Sequence, residues 1–138
     1  MDRLELIDFV RARGLGVIAS CGPDGSPQAA LVGIAATDQG ELVFDCSQGS
    51  RKYANIERDP AVALVVGWDN EVTVQVEGSA QVLAGADLGR CKAAYFEQYP
   101  DGRDRAESPE IAHIRVIPRW LRYSDYRPDT FGSSETQF

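Results

Sequence analysis

Two adjacent cations, Arg51 and Lys52, follow Ser50 in the stretch Gly49-Ser50-Arg51-Lys52-Tyr53-Ala54-Asn55-Ile56-Glu57-Arg58-Asp59-Pro60, inside a chain of formal net charge −7. The stretch reads as a short helix that opens at Gly49 and stops at Asp59-Pro60, with Tyr53 and Ile56 three apart on one face. The first backbone N–H groups of a helix have no partner within it, and the helix dipole adds partial positive charge at that end. Arg51 and Lys52 therefore make a seat for an anion, and a phosphate-bearing cofactor is the first expectation. Ordinary solvated surface cations are the alternative that charge and position leave open.

The remaining chemistry-bearing residues exclude more than they offer. Cys21, Cys46 and Cys91 are odd in number and lack metal-ligand spacing, so reduced thiols are expected rather than a disulfide framework or a zinc site. His113 is the only histidine, which excludes a histidine-rich metal site; it reads as a strand residue with one hydrogen-bond partner. A sequence pI near 4.6 argues against a broad basic surface for nucleic acid. With 138 residues, 43% hydrophobic and 25% charged, the chain suits one domain, residues 1–138, with a substantial core. No apolar run is long enough to cross a bilayer and no secretory or transit signal is visible, so no membrane partner and a cytoplasmic location are expected.

The elements that must hold the cation pair read mostly as strands. Residues 2–13 have the spacing of an amphipathic helix ending at Gly14. Gly16–Cys21 reads as a strand, residues 22–27 as a turn, 28–36 as a strand, 37–40 as a turn and 41–46 as a strand. After the helix begun at Gly49, residues 61–67 form an unbroken apolar run, expected to be a strand buried on both faces. Val72, Val74 and Val76 alternate with polar residues in a strand that continues past Gly78 to Leu83. Asp87–Tyr99 reads as a second longer helix with Asp87 near its cap. Residues 101–110 are expected to be a mobile charged loop, and 130–138 a frayed polar tail. Residues 112–123 form a last strand in which Pro118 suits an edge or a bulge. Six strands with short antiparallel connections and two inserted helices predict a mainly β fold closed into a six-stranded antiparallel barrel, because a small open sheet would leave long unpaired edges.

Taken together, SQGSRKYANIERDPAVALVV, VTVQVEGSAQVL and IRVIPRWLRYSDY resemble the FMN-binding split β-barrel family typified by pyridoxamine 5'-phosphate oxidase. The resemblance covers most of the chain. It implies FMN with its phosphate on Arg51 and Lys52 and Ser50 as a nearby hydroxyl. Gln28 to Gly33 would run along the ribityl chain and ring edge, with Gln28 where the family often has Arg and Val32 offering backbone to the ring. Asp45 and Cys46 would line the ring and the phosphate approach, although Cys46 also reads as a small buried residue. Thr73 would reach the flavin from a second subunit, and Tyr123, with Trp120 as the competing choice, would stand near the cofactor. The family packs two subunits barrel to barrel, so a homodimer with cofactor sites in its seam is implied.

The resemblance also carries departures. The oxidase holds its substrate's phosphate with a Lys on the second strand and a Tyr and an Arg around the second helix; the corresponding places here are Gly33, Tyr95 and Tyr99. Its C-terminal Arg and His have no counterpart after Asp125. A phosphate without cations binds poorly, so the expected activity is an FMN-dependent oxidoreductase acting on a small molecule other than vitamin B6, with a nicotinamide as one possible donor. The alternatives are a non-catalytic, stress-related FMN holder, or a haem- or deazaflavin-binding relative in which His113 is the only histidine available to iron.

Overall fold

A computed structural model describes residues 1–138. Helix α1 (Arg3–Arg13) starts on a reciprocal cap, in which the Asp2 carboxylate accepts from the Glu5 N–H and the Glu5 carboxylate accepts from the Asp2 N–H. It stops at Gly14, whose φ of 72° is the left-handed conformation that favours glycine. There follow β1 (Leu15–Cys21), β2 (Pro27–Gly33), β3 (Ala35–Ala36), β4 (Leu42–Ser47), α2 (Arg51–Arg58), β5 (Ala61–Val66), β6 (Val72–Val82), α3 (Gly85–Gln98), α4 (Gly102–Arg105), β7 (Ile111–Asp125) and β8 (Gly132–Gln137).

The strand order is β2-β1-β5-β6-β7-β4-β3, with β8 added on β7. Every pairing is antiparallel. β2 and β3 are one run of chain interrupted at Ile34, and they stand at the two ends of the order, so the sheet curls back onto its own second strand. Counted as one, they leave the six barrel strands that the sequence pattern predicts, in a mainly β antiparallel split barrel. Inward side chains such as Phe44, Ile114, Leu121 and Val74 fill it with no exposure. A smaller cluster, Ala35, Val43, Leu83, Cys91 and Tyr95, lies between β3–β4 and α3.

Three expectations need correction and two are sharpened. The segment 130–138 is no frayed tail: β8 pairs with Trp120–Asp125, and the Thr136 hydroxyl donates to the Met1 carbonyl at 2.8 Å. Its polar side chains stay exposed, so backbone pairing gave no signal in the hydrophobic pattern. The segment 101–110 contains α4, fixed by Arg105 on Asp45 and Asp101. β5 is not buried on both faces, since Ala61 and Val65 are exposed. Asp87 lies near the cap as expected, in the first turn of an α3 that starts two residues earlier at Gly85, and pairs with Arg90 at 3.2 Å. Pro118 lies within β7 at a bulge, one of the two expected settings: the register with β6 shifts at Glu77/Gly78, and on the other side β4 pairing ends at Val116 while β8 pairing starts at Trp120. Gly78 is required there, because a Cβ would come within 2.5 Å of the Ile117 carbonyl oxygen.

Candidate functional site

Helix α2 begins without a carboxylate. Ser50 is its N-cap, its hydroxyl accepting from the Tyr53 N–H at 3.4 Å and donating to the Ser47 carbonyl at 2.7 Å. The first turn carries no acid, and neither Arg51 nor Lys52 takes part in an ion pair. Both side chains border an open cleft of about 230 Å³ whose other wall is the β1–β2 hairpin, through Ile18, Ser20, Gln28 and Ala30.

What aims the cations is a set of hydrogen bonds one turn further on. Asn55, 2% exposed, donates through Nδ2 to Ser20 Oγ at 3.0 Å and to Gln28 Oε1 at 2.8 Å. Arg58 donates to Asn55 Oδ1 at 2.9 Å and to the Cys21 carbonyl at 2.7 Å. Positions 51, 55 and 58 share one helix face, so the bonds that pin α2 to the hairpin also turn Arg51 toward the cleft. Asn55, Ser20 and Arg58 are not singled out by the sequence reading. The signal for them is an Asn in a helix interior, where it is a weak helix former and implies a specific partner.

The structure brings together some of the residues expected at the site. Arg51, Lys52 and Gln28 line the cleft, Ser50 caps the helix that carries the two cations, and Val32 lies on the same inward face of β2 as Gln28, 6% exposed. Cys46 is in the core beside the start of α2. Burial pushes its thiol pKa up, against the opposing effects of the Ser50 hydroxyl and the Lys52 charge.

Four others lie apart from the cleft in the single chain. Gly33 is covered by Tyr99, whose ring would meet a Cβ there at 2.9 Å. Asp45 follows the strand alternation onto the face opposite Cys46, and its carboxylate accepts from the Tyr95 hydroxyl and from Arg105 Nε, each at 3.1 Å. Thr73 is on the outer face of β6, opposite Ser124, with its hydroxyl oxygen buried and unpartnered. Tyr123 points inward at the barrel end, edge-on to Phe9 with centroids 6.5 Å apart. Its competitor Trp120 faces outward and donates to Glu135 at 3.4 Å.

His113 is 4% exposed, and its Nε2 has no hydrogen-bond partner, unlike the one-partner expectation. It lies beneath α3, against the rings of Tyr95 and Phe96.

The outer face of the sheet is apolar where solvent would favour polar residues. Val17, Ala19, Ala63 and Val65 line an open cleft of about 220 Å³, flanked by Glu77 and Trp120, and Leu31 on the neighbouring strand is 63% exposed.

A curled antiparallel sheet with a cation-bearing helix set against its first hairpin defines a split-barrel protein. The family model described as pyridoxamine 5'-phosphate oxidase matches residues 4–125, and the chain belongs to that family. The pyridoxine/pyridoxamine 5'-phosphate oxidase of Rubrobacter xylanophilus is 38% identical over 87 residues, which is 62% of this chain and 38% of that protein. The chain thus matches well under half the length of that relative. Among solved structures, a conserved hypothetical protein from Mycobacterium tuberculosis is 27% identical with a TM-score of 0.75, covering 92% of this chain and 86% of that one. A heme binding protein from Mycobacterium smegmatis superposes with a TM-score of 0.83 at 17% identity, over 99% of this chain and 58% of that one, a likeness of fold alone.

No helix is long and apolar enough to cross a membrane.

Proposed function

We propose that this chain binds FMN, with the phosphate on Arg51 and Lys52, in the seam of a homodimer, and serves as an oxidoreductase for a small molecule other than a vitamin B6 phosphate. The carrying observation is the cation pair itself: two cations at a helix start, free of carboxylates in an acidic protein, facing a cleft. That donor set fits a phosphate dianion, which accepts charge-assisted hydrogen bonds from side chains and free backbone N–H groups together. FMN, when bound, supplies a flavin ring that accepts a hydride and passes on electrons.

The chain's own residues have the simpler tasks of holding and orienting the cofactor. Arg51 and Lys52 neutralise the phosphate, the Asn55 bonds fix their direction, and Ala30 and Val32 offer an apolar wall along β2. One chain leaves the cleft open on one side, and the apolar outer face of β1 and β5 supports a second copy as the partner that completes the seam.

The substrate reading rests on what fills the three family positions for substrate phosphate. Gly33 has no side chain and lies under Tyr99, whose hydroxyl donates to the Gly14 carbonyl; the Tyr95 hydroxyl is held by Asp45. No cation is available from these positions, which favours a substrate without a phosphate.

A second reading, an FMN holder without turnover, is favoured by the absence of a carboxylate or imidazole among the residues lining the cleft. Purified protein mixed with FMN and desalted separates these readings from their failure. Retained flavin bands that NADH or NADPH bleaches without oxygen support the oxidoreductase. Retained bands with oxidation rates no higher than free FMN support the holder, and a colourless protein overturns FMN binding.

A further inference from the structure

We propose that the α3–α4 layer is a latch governed by His113: proton uptake by this buried imidazole loosens the layer from β4 and β7 while the barrel stays closed. His113 is the chain's only histidine and sits on β7 directly opposite Asp45 of β4. Its ring is caught between two rings of α3, Tyr95 at 5.8 Å and 74° and Phe96 at 5.9 Å and 90°. A neutral imidazole with its buried Nε2 unpartnered is tolerated in that pocket. An imidazolium has a second N–H to satisfy and a charge to solvate, yet Nε2 is buried without a partner and the residue is only 4% exposed.

The charges around the ring come from three elements. On β4, Asp45 favours the cation, but both of its oxygens are engaged, one by the Tyr95 hydroxyl of α3 and the other by Arg105 of α4. On α3, Lys92 opposes the cation, and Tyr99 stacks on Tyr95 with centroids 5.5 Å apart. On α4, Arg105 opposes it, while Arg103 lies over the Phe96 ring at 5.4 Å. Just past the end of β6, the Leu83 N–H donates to the His113 backbone carbonyl at 2.9 Å. Burial outweighs the Asp45 charge and holds the imidazole pKa below its ordinary value.

A group whose folded pKa is depressed supports the folded arrangement fully above the unfolded value, near 6.5, and withdraws that support as pH falls through the folded value. Relief comes by drawing Asp45 away from Tyr95 and Arg105, or by the ring leaving its pocket. Either route removes a contact that fixes α3 or α4 to the barrel. The layer that loosens is the one that covers Ala35, Val43 and, through Tyr99, Gly33.

The test is amide hydrogen exchange from about pH 7.5 to about pH 5.5, normalised to the intrinsic chemical rate, beside an NMR titration of the chain's single imidazole. Amides of α3 and α4 should lose protection by about tenfold, with the midpoint of the imidazole titration, while β5 and β6 stay unchanged. The variant His113→Phe keeps a ring without the proton and should leave α3 protection flat. Unchanged α3 protection in the wild type, a midpoint away from that of the imidazole, or the same loss in His113→Phe would each overturn the latch. Should the variant fail to fold, the two wild-type midpoints still decide.

Discussion

Two pairs of cations in this molecule meet opposite fates. Arg90 and Arg115 converge on Glu41, a carboxylate whose side chain is 9% exposed, and Thr37 adds its hydroxyl at 2.8 Å. Arg115 reaches it at 2.8 Å and Arg90 grips both oxygens. Arg51 and Lys52 have the same charge and no carboxylate at all. The difference teaches that a cation pair whose anion is built into the chain belongs to the fold, whereas the pair that borders an open cleft with no carboxylate beside it is the one we propose for a ligand. The two helix starts repeat the lesson, since α1 is closed by Asp2 and Glu5 while α2 has cations in its first turn.

The sharpest way to break this comparison is to remove the built-in anion. Glu41→Gln leaves two guanidinium groups short of their partner and should cost about 3 kcal/mol of stability, read by denaturant unfolding, with FMN affinity unchanged in the fraction that remains folded. Arg90 holds the Glu41 pKa down to about 2, against an ordinary value of 4.5. Its contribution to stability is therefore complete above that ordinary value and is lost as pH falls toward the folded one. Wild-type unfolding followed across that acid window should lose stability more steeply than Glu41→Gln; parallel curves would deny the ion pair its role.

At the open pair the effect should fall on binding instead. Arg51→Ala should weaken FMN by about 1.5–3 kcal/mol, measured by quenching of flavin fluorescence, with the melting temperature of the ligand-free protein unchanged. Asn55→Ala joins the two kinds of effect: loss of its buried hydrogen bonds should lower stability by about 1–2 kcal/mol and weaken FMN as well, because the same bonds aim Arg51. The smallest change is expected at an exposed pair. Asp38→Ala releases Arg11 from a carboxylate that is 94% exposed, and its cost should stay below about 0.5 kcal/mol.

Much of the barrel is readable because its inward face alternates. Val72, Val74 and Val76, the turn around Gly40 and the capped α1 all declare themselves in side-chain pattern or turn chemistry. The apolar run at 61–67 misled for an instructive reason: Val65 is apolar and yet exposed, so the pattern recorded an unpartnered surface as a second buried face. β8 escaped because Gly132-Ser133-Ser134-Glu135-Thr136-Gln137 contributes backbone pairing and almost no burial.

At the site, charge and position exposed Arg51 and Lys52, while strand alternation separated Asp45 from its neighbour Cys46. Asn55 is legible only once its partners on the hairpin, distant in sequence, are known. The places expected for Thr73 and Tyr123 came from the family resemblance alone, and in the single chain both lie apart from the cleft.

The most direct test of the cation pair is to compare FMN with riboflavin, which has the same ring and no phosphate, by equilibrium titration of the wild type and the Arg51→Ala variant. FMN should bind wild type about 10- to 100-fold more tightly than riboflavin, and most of that difference should vanish in the variant. Equal affinity of the wild type for the two flavins would contradict the assignment of Arg51 and Lys52 to a phosphate.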